Sequence, residues 1–146
     1  MLARFTSQMR IDMSINSKTL YLKMIKGKGR GVFCTTDILE GEVVEVCPVI
    51  IVPADEFAAL SVTPLMDYSF YFDKEENILS LTMGFGSMYN HRQYPNAEYI
   101  LNREERQMLF TAREHIKAHT EICINYGGAY GIDYAKWFID RNINLL

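Results

Sequence analysis

Two stretches carry most of the information about this chain: Asn90-His91-Arg92-Gln93-Tyr94-Pro95-Asn96 and Glu121-Ile122-Cys123-Ile124-Asn125-Tyr126-Gly127. The first is polar and contains a proline, so read alone it predicts only a turn. The second is rich in β-branched residues and predicts a strand that ends at its glycine. Neither stretch is specific by itself. The information lies in their order along the chain, together with two blocks upstream.

The first upstream block is a glycine-rich turn, Gly27-Lys28-Gly29-Arg30-Gly31, followed by Val32 and Phe33. It is not a dinucleotide fingerprint, because its third glycine comes one residue too early, and it lacks the G-x-x-x-x-G-K-[ST] pattern of a P-loop. One reading is a flexible turn. The other is a binding loop, because glycines let backbone N–H and C=O groups approach a small ligand closely. The second upstream block is ILEGEVV at residues 38–44, a turn that leads into a β-branched run.

The composition is that of one globular domain. The chain has 146 residues, of which 49% are hydrophobic and 23% charged, and this excludes a disordered chain, a collagen and a coiled coil. The net charge is −3, which disfavours tight, phosphate-driven binding of nucleic acid. Residues 1–17 show no secretory signal, and no stretch approaches ~18 consecutive apolar residues. We therefore expect a soluble intracellular protein, cytoplasmic if it is bacterial, with no nucleic-acid or membrane partner.

The cysteines and histidines do not form a metal-binding pattern. Cys34, Cys47 and Cys123 are far apart and include no C-x-x-C pair, so we expect buried free thiols rather than a zinc site or a disulfide framework. His115 and His119 have i, i+4 spacing but lack the Glu of H-E-x-x-H, so we expect solvated surface histidines. No serine or cysteine lies in a recognisable nucleophile elbow. The sequence predicts no metal.

Short strands separated by turns dominate the rest of the pattern. Strands are predicted at 20–25, 32–35, 43–52, 68–72, 77–82, 97–101, 108–112 and 121–126. Pro53 begins a short helix with Phe57 and Leu60 on one face, and a second helix with an aromatic face begins near Asp133. This pattern predicts a mainly β single domain with a few short helices, not a doubly wound α/β fold.

The four blocks, in this order, resemble the SET-domain protein lysine methyltransferases. The resemblance runs from about Leu20 to Gly127, and the length is similar to that of the small stand-alone SET proteins of bacteria and viruses. It implies a SET, β-clip-like fold of several short strands and small sheets with a knot-like C-terminal crossing. It divides the chain into an N-terminal extension at 1–19, a SET domain at 20–127 and a C-terminal cover segment with a helix at 128–146.

The resemblance also implies a cofactor site. In the family the glycine turn holds the methionine portion of S-adenosylmethionine through backbone atoms, and this role falls here on Lys28, Gly29 and Arg30. The family's Asn-His pair binds the cofactor through the Asn side chain and the His backbone. Here that pair is Asn90 and His91.

Further roles follow from the same resemblance. Tyr126 corresponds to the catalytic tyrosine, which lies beside the methyl-transfer channel and touches the cofactor. Asn96 is similar to the Asn that closes the knot-like crossing. In the C-terminal cover, Trp137 or Tyr130 packs on the cofactor.

Aromatic side chains are expected to line the channel for the substrate lysine. Cys47 stands where the family often has a tyrosine, so another aromatic residue is expected to supply that wall. The candidates are Tyr68, Tyr71 and Tyr99. The plain alternative for most of the aromatics is packing in a β-rich core.

We therefore predict transfer of a methyl group from S-adenosylmethionine to the side-chain amine of a lysine in a protein substrate. Transfer needs a neutral amine and aligned partners, and a narrow aromatic channel lowers the pKa of the amine by desolvation. The alternative is a catalytically degenerate SET domain that acts as a protein-binding module. The intact Asn90, His91 and Tyr126 count against the alternative, whereas Cys47 and Arg92, which depart from the family pattern, keep it open.

The charge distribution suggests a preference among protein substrates. Residues 54–78 carry a local net charge of −5. In the family this region lies beside the peptide groove, so we expect it to favour a target lysine in a basic segment. A solvated acidic face is the equal alternative. The sequence leaves open the substrate protein, the degree of methylation and the formation of a homodimer.

Overall fold

Nine short strands and two short α-helices make up the described part of the chain, which is residues 20–141 of a computed structural model. The strands are β1 (Leu20–Ile25), β2 (Gly29–Cys34), β3 (Val43–Val52), β4 (Ser69–Asp73), β5 (Ile78–Thr82), β6 (Asn90–His91), β7 (Ala97–Asn102), β8 (Gln107–Ala112) and β9 (Glu121–Ile124). The helices are α1 (Phe57–Ser61) and α2 (Ala135–Ile139), with 3₁₀ turns at Ala54–Glu56, Pro64–Tyr68 and Gly86–Met88. The expected N-terminal extension at 1–19 and the end of the cover segment at 142–146 lie outside the described residues.

The larger sheet is antiparallel, with the strand order β4-β5-β3-β8-β7. Its central strand β3 has the bounds that the β-branched run predicts. The first half of β3 pairs with β8 as far as Pro48, and the second half pairs with β5 from Val49 onward. A proline is tolerated at this change of partner because it has no N–H to leave unpaired.

The smaller sheet has the order β1-β2-β9-β6. β1 and β2 form an antiparallel hairpin over the glycine turn, in which Gly27 and Gly29 have φ values of 82° and 87°. Those backbone angles are strained for residues with a side chain. β6 pairs in parallel with β9, with Asn90 opposite Cys123 and His91 opposite Ile124. The sequence pattern predicts a turn at β6, because two residues are too short to show a period.

The core lies between the two sheets. Its largest fully buried side chains include Tyr89, Phe110, Leu79, Met108, Ile116, Ile122 and Ile124. Cys34, Cys47 and Cys123 are buried free thiols, and burial raises the pKa of each of them. Within residues 20–141 no helix combines the length and the apolar character needed to cross a membrane.

The segment 90–96 and the segment 121–132 wrap around each other. Arg92 N–H donates to the carbonyl of Ile124, and Gly131 N–H donates to the carbonyl of Gln93. Asn125 is buried and donates through Nδ2 to the carbonyls of Gln93 and Ile132. The carbonyl of Gln93 in the first segment thus accepts hydrogen bonds from both Gly131 and Asn125 of the second segment. These bonds fix the expected knot-like crossing.

Asn96 joins the same two segments at the other end of the loop. Its side chain is 3% exposed. Nδ2 donates to the carbonyl of Glu121, and Oδ1 accepts from the N–H of Cys123, each at 2.9 Å. One amide therefore satisfies a donor and an acceptor of β9.

Asn96→Ala should destabilise the protein by about 2–3 kcal/mol, because it leaves two buried backbone groups of β9 without a partner. The free energy of unfolding in urea measures the loss. Asn102→Ala is the matched control, since Asn102 accepts one hydrogen bond, from Glu105, in an exposed turn, and should cost less than about 1 kcal/mol. Equal losses in the two variants would contradict the bridging role of Asn96.

Candidate active site

An aromatic cavity of about 650 Å³ lies beside the crossing. Tyr68, Tyr71, Tyr99, Tyr126 and Trp137 all line it. These residues come from β4 and the turn before it, from β7, from the end of β9 and from α2. Segments far apart in sequence therefore form one aromatic wall.

The Tyr126 hydroxyl is oriented by the main chain of a neighbouring segment. It donates to the carbonyl oxygen of Tyr89 at 3.0 Å. Burial raises the pKa of Tyr126 above its ordinary value, so the phenol keeps its proton at neutral pH. Although this hydroxyl donates its proton to a carbonyl, its oxygen still has lone pairs that can accept a hydrogen bond from a polar group in the cavity.

Tyr99 forms another part of the aromatic wall. Its ring contacts Phe70 edge-on, with ring centroids 4.9 Å apart, and Phe110 at 6.1 Å. Burial raises the pKa of Tyr99 to about 12. Tyr68 and Tyr71 are exposed, each at 43%, so they lie at the open side of the cavity. Aromatic rings therefore lie at the solvent side of the cavity, and the more deeply buried Tyr99 lies further inside.

The side chain of His91, which lies in the crossing, binds the backbone of Tyr126. Its Nδ1 accepts from the backbone N–H of Tyr126 at 3.0 Å, which requires an unprotonated Nδ1. Burial lowers the pKa of His91, against an opposing effect of Asp133, so the ring is neutral at pH 7 with its proton on Nε2. The His91 side chain thus positions the tyrosine backbone.

Asn90 connects the crossing to the glycine turn. Its Nδ2 donates to the carbonyl of Arg30 at 3.1 Å and to Oε1 of Glu121 at 2.8 Å. Gly31 is needed for this approach, because an added Cβ would lie 2.7 Å from the Glu121 carboxylate and 3.1 Å from the Asn90 amide. The turn, the amide and the carboxylate therefore form one polar cluster.

An aromatic cluster from the C-terminal segment covers the crossing. His91 contacts the rings of Tyr134 and Phe138, at 5.7 and 5.2 Å between centroids. Trp137 meets Tyr126 edge-on at 5.6 Å. The Arg141 guanidinium lies 4.0 Å from the Trp137 ring centroid and 2.9 Å from the Asp67 carboxylate. The shared helical face predicted after Asp133 is therefore the face that packs on the site.

The structure divides the sequence-predicted residues into two groups. Tyr68, Tyr71, Tyr99, Tyr126 and Trp137 meet in the cavity. Lys28, Gly29 and Arg30 lie instead at the turn between β1 and β2, and Asn90 and His91 lie in β6. Trp137 is placed with the cavity residues, whereas Tyr130 contacts Tyr94 and Arg113.

Sequence reasoning missed several polar residues of the site. The sequence pattern places Glu121 and Asn125 in a predicted strand and assigns neither of them a role in the site, and it gives no signal for Tyr89. Glu45 lies buried in β3. The sequence does contain a sign of its importance, because it is a carboxylate inside an otherwise apolar run. Such a residue needs a buried partner.

The other two histidines lie outside this cluster. His115 pairs with Asp37 at 2.8 Å, and His119 contacts the Tyr21 hydroxyl at 3.1 Å. Among the described residues no group of three or more His, Cys, Asp or Glu side chains has a geometry that could hold a metal ion.

A family model described as "SET domain" matches residues 29–127. The chain therefore belongs to the SET-domain family, and the predicted resemblance and fold are confirmed. β1 lies before the matched range yet pairs along its full length with β2.

The chain is also similar to known methyltransferases. A histone-lysine N-methyltransferase of Schizosaccharomyces pombe, specific for lysine 37 of histone H3, is 28% identical over 109 residues, which cover 74% of this chain and 73% of the relative. The crystal structure of a candidate histone methyltransferase from Plasmodium falciparum has a TM-score of 0.60 and 29% identity, and the match covers 77% of this chain and 96% of that chain.

A third similarity is to part of a much larger protein. A structure of Polycomb Repressive Complex 2 from Chaetomium thermophilum, in complex with H3K27me3 and H3K27M, matches with a TM-score of 0.62 and 26% identity. The match covers 74% of this chain but 14% of that chain. The similarity therefore concerns a small part of that chain.

Proposed function

We propose that this chain transfers a methyl group from S-adenosylmethionine to the side-chain amine of a lysine in a protein substrate. One observation carries the proposal. Tyr126 contributes its ring to the aromatic cavity while its backbone is held by His91 of the crossing. Tyr126 is thus bound by the residue that follows Asn90, while its ring lines the cavity proposed for the amine.

The polar cluster supports binding of S-adenosylmethionine, which supplies an electrophilic methyl group when bound. Both hydrogen bonds that described residues form with the Asn90 side chain use Nδ2, so Oδ1 is available to accept from the cofactor's ammonium group. The Glu121 carboxylate adds negative charge near that ammonium. Lys28 and Arg30 add positive charge for the carboxylate group, and an added Cβ at Gly29 would meet open space, which leaves room beside the turn. The donor set fits this cofactor.

The cavity supports binding of a lysine side chain. Its aromatic walls can hold an ammonium group on entry, and desolvation further inside lowers the pKa of the amine towards the neutral form that reacts. The neutral Tyr126 hydroxyl and the main-chain carbonyls nearby can direct the amine and the methyl through weak contacts. Tyr126 is accordingly proposed as the catalytic residue, with Tyr68, Tyr71 and Tyr99 as channel residues.

The acidic segment supports a protein substrate with basic residues around the target lysine. Glu75 and Glu76 lie exposed in the turn after β4, the strand that carries the cavity residue Tyr71. Histone H3, on which the Schizosaccharomyces pombe relative acts, has this basic character, so core histones are a suitable probe. We further propose residues 20–127 as the SET domain and residues 128–146 as its C-terminal cover.

Asn90→Ala should weaken binding of S-adenosylmethionine more than tenfold, about 1.4 kcal/mol, because it removes the acceptor at Oδ1 and the link between β6 and the glycine turn. Calorimetric titration of the folded protein measures the effect. Asn102→Ala should bind like the wild type. A folded wild type that binds no S-adenosylmethionine, alone or with histones present, would favour the protein-binding module instead.

Tyr126→Phe should reduce methyl transfer to core histones about a hundredfold, because loss of the hydroxyl leaves the amine and methyl without a directing group. The dissociation constant of S-adenosylmethionine should change less than threefold, since the ring remains. Transfer of radioactive methyl from the labelled cofactor measures turnover. Undiminished transfer by Tyr126→Phe would remove Tyr126 from the mechanism.

Reversing two charges with Glu75→Lys and Glu76→Lys should raise KM for a Lys/Arg-rich peptide several-fold at low salt while leaving kcat unchanged, because the acidic turn attracts the peptide before chemistry. The control double variant Glu40→Lys with Glu114→Lys makes the same change in net charge at exposed residues that do not line the cavity. A KM that stays constant, or rises equally in both double variants, would show that the acidic turn does not recognise the substrate.

A further inference from the structure

Glu45 is a carboxylate buried near the start of the apolar strand β3, with 8% of the residue exposed. Oε2 accepts from the Tyr89 hydroxyl at 2.8 Å, and Oε1 accepts from the Phe85 backbone N–H at 2.9 Å. Burying a carboxylate is costly unless hydrogen bonds replace its water. The two bonds therefore hold the segment 85–89 against β3.

The backbone beside this carboxylate contains a glycine where a side chain would not fit. Gly84 has a φ of 69°, and a Cβ added there would collide with Oε1 of Glu45. A side chain at position 84 would therefore be strained and would also displace the carboxylate. The 3₁₀ turn Gly86–Met88 follows directly and leads to Tyr89. The path of the backbone into β6 thus depends on Glu45.

Tyr89 connects the buried carboxylate to Tyr126. Its side chain is 1% exposed, packs on Phe110 with centroids 4.7 Å apart, and donates to Glu45. Its main-chain carbonyl accepts the proton of the Tyr126 hydroxyl. The side chain of Tyr89 is therefore fixed by Glu45, and the backbone of Tyr89 in turn orients the hydroxyl of Tyr126.

We propose that Glu45 is a positioning residue that sets the orientation of the Tyr126 hydroxyl through Tyr89. Its effect on turnover rests on the function proposed above, whereas the orientation of the hydroxyl can be measured without turnover. Glu45 does not line the cavity, whereas Tyr89 does, so Glu45 acts on Tyr126 through Tyr89 and not by direct contact. A role in stability alone would affect all properties of the fold together.

Glu45→Gln is the first variant, because it keeps the shape and turns one acceptor into a donor. It should lower kcat for histone methylation at least tenfold while the dissociation constant of S-adenosylmethionine changes less than twofold. Tyr89→Phe removes the same link from the other side and should have a similar effect. The double variant should be no slower than the slower single variant, because both remove one connection.

Cys34→Ala is the control for a stability effect alone. Cys34 is fully buried in β2 and bonds through Sγ to the carbonyl of Lys117, so its loss should lower the melting temperature without a selective fall in kcat. Losses in kcat that follow the melting temperature in all variants, or that multiply in the double variant, would overturn the positioning role. If Glu45→Gln does not fold, Tyr89→Phe alone provides the comparison.

A spectroscopic measurement separates this proposal from the proposed function. In protein labelled with ¹³C at tyrosine Cζ, the Tyr126 resonance, assigned by its absence in Tyr126→Phe, reports the hydrogen bond of the hydroxyl. It should shift in Glu45→Gln and Tyr89→Phe but not in Cys34→Ala. A wild type without transfer would contradict the function only. An unmoved Tyr126 resonance in both variants would overturn the role of Glu45.

Discussion

The parallel pairing of Asn90–His91 with β9 is the constraint on which the rest of the site depends. Without it the segment 90–96 would be a surface turn, and Tyr126 would have neither His91 nor Tyr89 as a partner. Two residues of ladder are too few to be stable alone. Two buried side-chain amides therefore stabilise the crossing further. Asn96 hydrogen-bonds to β9, and Asn125 hydrogen-bonds to the carbonyl of Gln93.

The crossing lies between a polar cluster and an aromatic cavity. On one side, Asn90 gathers the glycine turn and Glu121 into a polar cluster suited to a charged small molecule. On the other, aromatic rings from four segments line the cavity that we propose for the lysine side chain. Tyr126 lies at the boundary, and its hydroxyl and its backbone are each held by a different residue. A transfer between two bound partners requires this kind of arrangement, because alignment replaces a chance encounter.

The strands could be predicted closely from local pattern, because β-branched runs and turn residues act within a few positions. Leu20–Ile25 and Val43–Val52 have the bounds that the sequence predicts. Two features escaped this reasoning. β6 was too short to show a period, and Glu45 was hidden inside the predicted strand that contains it. The candidates for the channel wall, Tyr68, Tyr71 and Tyr99, all line the cavity, and their role in a lysine channel stays a prediction.

The family, the mainly β class and the residue types available for chemistry can be inferred from the sequence alone, because they depend on short motifs and on their order along the chain. Which of those residues contact one another follows from the folded structure. Hydrogen bonds such as Tyr89 to Glu45 and Asn96 to β9 join positions far apart along the chain, and no local propensity encodes them. They form because burial removes water from polar groups, and each such group must then find a partner that only the folded chain brings within reach.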